Sequence, residues 1–234
     1  MKKASLLSII LPTYNESGNI VPLISQIITQ IKSNPFEIWV VDDNSPDGTA
    51  ENVKEKYKRD KRVHILVKKN ERGLARAIRS GLEIASGKFI IVMDTDFNHN
   101  PKDLPLFLEN KDKYDLIVGS RYIYGGGMDD RLRYFLSYLY NRVVRIILKL
   151  NTTDNLSGFF LINKQKLSLL NYDKIFFGYG DYFIRLLYNA HQFKFNIKEI
   201  PSYYKNRPRG LSKSQFLPMF IDYSKSVLKI ASGK

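Results

Sequence analysis

The run "FIIVMDTDFNHNP" (residues 89–101) joins an apolar stretch of strand length to two aspartates one residue apart. A short apolar run bounded by turn formers reads as a buried strand. Carboxylates at its end need a cation or hydrogen-bond donors before they tolerate burial. Side chains of an extended backbone alternate, so Asp94 and Asp96 are expected on one side. Such a pair outside a strand end is a seat for a hard divalent cation, Mg²⁺ or Mn²⁺, with positions left for phosphate oxygens. The alternative is structural: acidic residues ahead of a helix suit its N-terminus, so the pair could cap the next helix.

Moving outward, four more apolar runs have strand length: "LLSIIL" (6–11), "FEIWVV" (36–41), "RVHILV" (62–67) and "YDLIVG" (114–119). Helical patterns lie between them. Apolar residues at 20, 23, 24, 27, 28 and 31 form one face. "SPDGTAENVKEKY" (45–57) offers Ser45 as N-cap and Pro46 as first helical residue. "GLARAIRSGLEIASGK" (73–88) puts Leu74, Ile78, Leu82 and Ala85 on one face, with Gly87 as its stop. Strands alternating with helices predict an α/β fold, a mainly parallel sheet with helices on both faces. Ligands of such sheets bind beyond the carboxyl ends of the strands. There the chain carries its polar clusters: "PTYNE" (12–16), "DDNSPDG" (42–48), "DTDFNHN" (94–100) and "SRY" (120–122).

The second half has another character. Residues 1–120 hold 18 lysines and arginines against 16 acids; residues 121–234 hold 19 against 7. Nearly all of the net charge of +14 therefore sits in residues 121–234, which implies an anionic partner. "RLRYFLSYLYNRVVRIILKL" (131–150) reads as a helix apolar almost all round, yet with five basic residues. Arg142 and Arg145 near its middle would be costly in hydrocarbon. A helix lying in the membrane interface, its arginines reaching for headgroup phosphates, fits better. "SQFLPMFIDYSKSVLKIA" (214–231) is a second apolar-rich helix with lysines. The opening "MKKASLLSIILPTYNE" reads as a first strand rather than a signal peptide, and no run is long enough for a membrane span. With no cysteine, disulfides and thiolate metal sites are excluded. No nucleic-acid recognition motif interrupts the basic half, so nucleic acid is not an expected partner.

Asp-x-Asp after an apolar strand also occurs in haloacid-dehalogenase-type phosphatases, but there on the first strand and followed by threonine; here Phe97 follows a fourth strand. "LPTYNE" (11–16), "VVDDNSPDGT" (40–49), "ERGLARAI" (71–78), "VMDTDFNHNP" (92–101) and "GSRY" (119–122) instead resemble, in order and spacing, the inverting family 2 glycosyltransferases of GT-A, Rossmann-like fold. Polyprenyl-phosphate sugar synthases of the dolichyl-phosphate mannose synthase type are the nearest match. The resemblance continues through Arg133 and Ser137, "DNLSGFF" (154–160) and "RPRGLSK" (207–213).

That resemblance implies a role for each matched residue. Pro12, Tyr14, Glu16 and Asp43 would line the nucleotide pocket, with Thr95 beside them. Asp94 and Asp96 would hold a divalent cation on the donor diphosphate. Asn98, where the family usually has glutamine, would be a third, shorter ligand. Arg121, Arg133 and Ser137 would receive the acceptor phosphate, and Arg207 and Lys213 would lie in a segment closing over the diphosphates. Asp181 is left as general base, helix cap or sugar ligand; His99 and His191 read as structural. The implied organisation is a nucleotide-sugar-binding half (1–120), an acceptor-binding half of the same domain (121–213) and a C-terminal amphipathic helix (214–234). The implied partners are a nucleotide-sugar donor, a polyprenyl or dolichyl phosphate acceptor and the cytoplasmic face of a membrane, bound peripherally. A membrane-anchoring partner stays open. So does a second reading, transfer to a sugar hydroxyl with Asp181 as base, and a third, glucosyl transfer from UDP-glucose.

Overall fold

A computed structural model describes residues 6–70, 72–206 and 216–233. The five apolar runs of the first half are strands: β1 (Leu7–Thr13), β2 (Phe36–Asp42), β3 (Val63–Val67), β4 (Phe89–Val92) and β5 (Leu116–Ser120). The second half adds β6 (Gly127–Met128), β7 (Phe160–Asn163), β8 (Ile197–Pro201) and β9 (Tyr203–Tyr204). Seven of them form one sheet in the order β3-β2-β1-β4-β7-β5-β8, while β6 and β9 pair separately. Both halves of the sequence thus contribute to one sheet.

Helices α1 (Ile20–Ile31), α2 (Thr49–Tyr57), α3 (Leu74–Ile84) and α4 (Leu104–Asn110) belong to the first half. They are followed by α5 (Arg131–Leu148), the short α6 (Lys164–Leu167) and α7 (Tyr172–Ile175), α8 (Tyr182–Gln192) and α9 (Phe216–Ala231). The apolar faces of α1 and α4 bury Leu23, Ile27 and Phe107 against one side of the sheet. Those of α3 and α8 bury Ile78, Leu82, Phe183 and Leu187 against the other. A third cluster joins α5, α8 and α9 through Val144, Leu148, Ile184 and Val227.

Two helix boundaries differ from expectation. Helix α2 begins at Thr49 behind Gly48, not at Pro46. Asp42 takes both the backbone N–H and the hydroxyl of Ser45, 2.8 and 2.5 Å, so Ser45 closes a turn at the end of β2. Asp47 likewise receives the N–H of Thr49. Helix α3 ends at Ile84, and Gly87 serves a close approach instead of a stop: a Cβ there would lie 2.6 Å from the hydroxyl of Ser8 and 2.8 Å from the carbonyl of Leu6.

The strand directions assemble the site. β1, β2 and β4 run parallel, so Thr13, Asp42 and Asp94 leave the sheet at one rim. β7 runs antiparallel to both neighbours, with Phe160 opposite Val92 and Val118. Its entry, Ser157–Phe159, therefore meets the exits of β4 and β5 at that same rim.

Candidate active site

A cavity of about 440 Å³ lies at this rim, a size usual for small-ligand sites. Its first end is built by the exits of β1 and β2. Pro12, Tyr14, Glu16 and Asp43 line it, together with Arg72 from the "ERGLARAI" motif. The Arg72 guanidinium lies over the Tyr14 ring, 5.4 Å from its centre. Asp43 accepts from the Gly73 N–H at 2.8 Å and from Lys68 Nζ at 3.4 Å. Glu16 is buried; its carboxylate accepts from Asn19 Nδ2 at 2.7 Å and its N–H donates to Thr49 Oγ1 at 3.0 Å.

The aspartate pair occupies the middle, and the reason it converges is not strand alternation. β4 ends at Val92, and residues 95–99 form a bend with Phe97 at φ +66°. The Asp94 N–H donates to Nδ1 of His99 at 2.8 Å. Asp96 accepts from the N–H of Asn98 at 3.0 Å and from its Nδ2 at 2.8 Å. The capping alternative goes to another residue, since Asn100 accepts from the Lys102 N–H at the turn that enters α4. His99 is fully buried, stacked on Phe159, with Nε2 beside the Tyr204 hydroxyl and the Ser157 carbonyl. Burial pushes its pKa down to about 4. With Nδ1 accepting from Asp94, the neutral ring donates from Nε2. It acts as a brace holding the bend onto β7, in keeping with the structural reading.

At the far end stand the cations. Arg121 is buried, and its Nε and Nη2 grip Asp154 at 2.7 and 2.8 Å. Burial alone would lower its pKa; the charge and hydrogen bonds of Asp154 outweigh burial and hold the guanidinium above its ordinary range. Asp154 is held in turn, its N–H and that of Thr153 donating to Glu199. Arg133, in the first turn of α5, is exposed at the cavity mouth. Ser137, one turn further on, bonds the Tyr122 hydroxyl and does not line the cavity. Asp181 does not line it either: its carboxylate pairs with Arg185 and accepts the N–H of Tyr179 at 3.1 Å. It stands at the N-cap position of α8 without a capping bond. Arg207 and Lys213 fall outside the described residues.

Sequence reasoning missed Arg72, Asp154 and a group of tyrosines, Tyr179, Tyr182, Tyr204 and Tyr223, around the cavity. Asp154 stood within the matched "DNLSGFF"; the tyrosines carried no signal, because three separate segments converge to present them.

The donor set suits a hard cation. Among the described residues no three His, Cys, Asp or Glu side chains stand close enough to hold a metal unaided. Asp94 presents a carboxylate 40% exposed, beside the buried and oriented Asp96. Two carboxylates with the remaining positions left to a ligand's oxygens is how Mg²⁺ and similar ions sit on phosphates. Asn98 spends its amide nitrogen on Asp96, so its oxygen is the atom left to a cation.

Comparison with known proteins now defines the class. Residues 8–170 match the glycosyl transferase family 2 model, and the chain belongs to that family. It is 32% identical to the dolichol-phosphate mannosyltransferase of Pyrococcus furiosus over 231 residues, covering 95% of this chain and 63% of that one. The chain thus spans less than two thirds of that relative's length. The undecaprenyl-phosphate mannosyltransferase of Micrococcus luteus is 31% identical, covering 87% of this chain and 85% of its own. In fold, the chain is similar to glucosyl-3-phosphoglycerate synthase from Mycobacterium tuberculosis, solved with Mn²⁺, UDP and glucosyl-3-phosphoglycerate: TM-score 0.72, 17% identity, 98% of this chain and 80% of that one. The GT-A expectation for the fold therefore holds.

Proposed function

We propose that the protein transfers a hexose, mannose from GDP-mannose foremost, to the phosphate of a polyprenyl phosphate with inversion at the anomeric carbon. The observation that carries this reading is one cavity lined at its centre by Asp94 and Asp96 and at its far end by the buried Arg121 and the exposed Arg133. The relatives that act on dolichol phosphate and undecaprenyl phosphate support the acceptor class.

Tyr14, Asp43 and Arg72 hold the nucleoside, leaving the diphosphate over the aspartates. Asp94 and Asp96, with the Asn98 oxygen at hand, would hold a divalent cation, which would supply positive charge to offset that gathering on the departing diphosphate. The acceptor's phosphate monoester has a second pKa near 6 and is largely dianionic at neutral pH. Its oxygen attacks C1 as the bond from C1 to the diphosphate oxygen breaks, and the bonding pair leaves with the diphosphate. No proton moves, so no general base is required. Arg133 grips the incoming phosphate, and its planar fork suits that task. Arg121, with one edge committed to Asp154, contributes fixed positive charge behind it.

The lipid tail has a surface to lie along. Helix α5 exposes Leu132 (69%), Phe135 and Ile146 (71%), interleaved with Arg131, Arg142 and Arg145. Among the described residues no helix is long and apolar enough to cross a membrane. We place α5 and α9 in the interface of an anionic membrane, on its cytoplasmic face, with an anchoring partner as an open addition. Incubating radiolabelled GDP-mannose or UDP-glucose with polyprenyl phosphate tests the reading. Label is expected in the organic-extractable lipid, with the better donor naming the sugar. Label in a hydroxylated acceptor instead would overturn it.

A further inference from the structure

The part of the cavity beyond Asp94 is walled by Leu156, Gly158, Gly180, Tyr182, Met219 and Tyr223. None of these carries a charge, and the last two come from α9, an element with no part in the sheet. Tyr223 is 8% exposed, yet its hydroxyl makes no hydrogen bond among the described residues. The residue lines the cavity, so its hydroxyl is placed to donate to a ligand there. Burial raises its pKa, so the group stays protonated and able to donate.

The surroundings are shaped to admit this hydroxyl. A Cβ on Gly180 would lie 1.9 Å from the Tyr223 oxygen, so any side chain at position 180 would displace it. Arg185 fixes the geometry from behind. Its Nε donates to the Ile175 carbonyl at 2.9 Å, Nη2 to the Phe177 carbonyl, and Nη1 both to Asp181 and, at 2.9 Å, to Ser226 on α9. One guanidinium thus ties the Phe177–Gly180 loop and α9 to α8. Asp181, a candidate general base by sequence, belongs to this clamp.

We propose that Tyr223 is a sugar-binding residue, its hydroxyl donating to a hydroxyl of the donor's hexose, and that α9 thereby completes the sugar end of the site. This rests on reading the chain as a transferase that uses a nucleotide sugar. The ligand it fits is an uncharged hexose, because among the described residues this wall offers no cation to a uronic acid carboxylate.

Calorimetric titration of the full chain with Mn²⁺ present, using GDP-mannose against GDP and UDP-glucose against UDP, tests the assignment. Tyr223→Phe is expected to weaken the nucleotide sugar about three- to tenfold, the worth of one neutral hydrogen bond, while the matching nucleoside diphosphate binds as to the parent. Gly180→Ala should give the same split and add little in the Tyr223→Phe background, since both act through one hydroxyl. Unchanged nucleotide-sugar affinity in Tyr223→Phe, or equal loss of sugar nucleotide and diphosphate, overturns the proposal while leaving the transferase reading intact. A parent chain that binds neither ligand of either pair overturns both.

Discussion

The strand rim and the helical side of this molecule handle charge in opposite ways. At the rim three acids are held by short bonds: Asp42 by Ser45, Asp43 by the Gly73 N–H, Asp96 by Asn98. On α5, Arg131, Arg133, Arg142 and Arg145 stand exposed among Leu132, Phe135 and Ile146. Fixed, partly buried groups suit a ligand whose phosphates must be placed to within fractions of an ångström. Exposed cations on flexible stems suit a diffuse anionic surface, where orientation matters little and screening matters much. Arg121 is the exception that joins them: a cation of the second half, buried and oriented like the acids of the first.

The comparison can be broken most decisively at the rim. Asp96→Ala should lower sugar transfer by about a thousandfold or more with an unchanged circular dichroism spectrum, and EDTA should do likewise to the parent; transfer that survives both would end the case for a cation. Asp154→Ala should cost about 3–5 kcal/mol in urea unfolding, because it leaves the buried Arg121 charge unpaired. A loss near that of a surface ion pair would mean that Arg121 is solvated after all. Arg133→Ala is expected to raise the KM for polyprenyl phosphate about tenfold or more, the weight of a charge-assisted bond, with donor affinity little changed. Equal loss on both substrates would move this arginine to the donor side. On α5, binding to anionic vesicles should weaken as salt rises, and Ile146→Asp should weaken it further without altering donor binding.

The smallest effect concerns Asp103, whose pKa burial raises to about 6 against the opposing bond from Ser202. A carboxyl with a raised folded-state pKa favours the folded state at low pH and loses that contribution as pH climbs from about 4 to about 6. Asp103→Asn, which keeps an acceptor for Ser202, should therefore be more stable than the parent at pH 7 by about 1 kcal/mol after allowing for solvent screening. The gap should close toward pH 4. A gap independent of pH would place its origin elsewhere.

Much of the rim was legible in the residues. Five strands of the first half lie within two residues of the apolar runs that announce them; in β1, β4 and β5 burial on both faces leaves little choice of side chain. The polar clusters at their ends gather at one rim, because parallel strands all exit on the same side. The bend that joins Asp94 to Asp96 was not legible: it depends on His99 accepting an N–H while packed on Phe159, sixty positions away. Asp181 could be read as a base, a cap or a sugar ligand, since nothing in "FFGYGDYFIRLL" says that Arg185 turns back to meet it.

Sequence by itself determined the α/β alternation, the rim where the acids collect and the crowding of positive charge into the second half. Each of these follows from local periodicity or from counting. The tertiary structure decided what each charge faces. The antiparallel insertion of β7 brings Ser157 and Gly158 beside Asp94, and the return of α9 carries Tyr223 onto Gly180. Such partners are chosen by packing between segments far apart in the chain, and local preference holds no record of them.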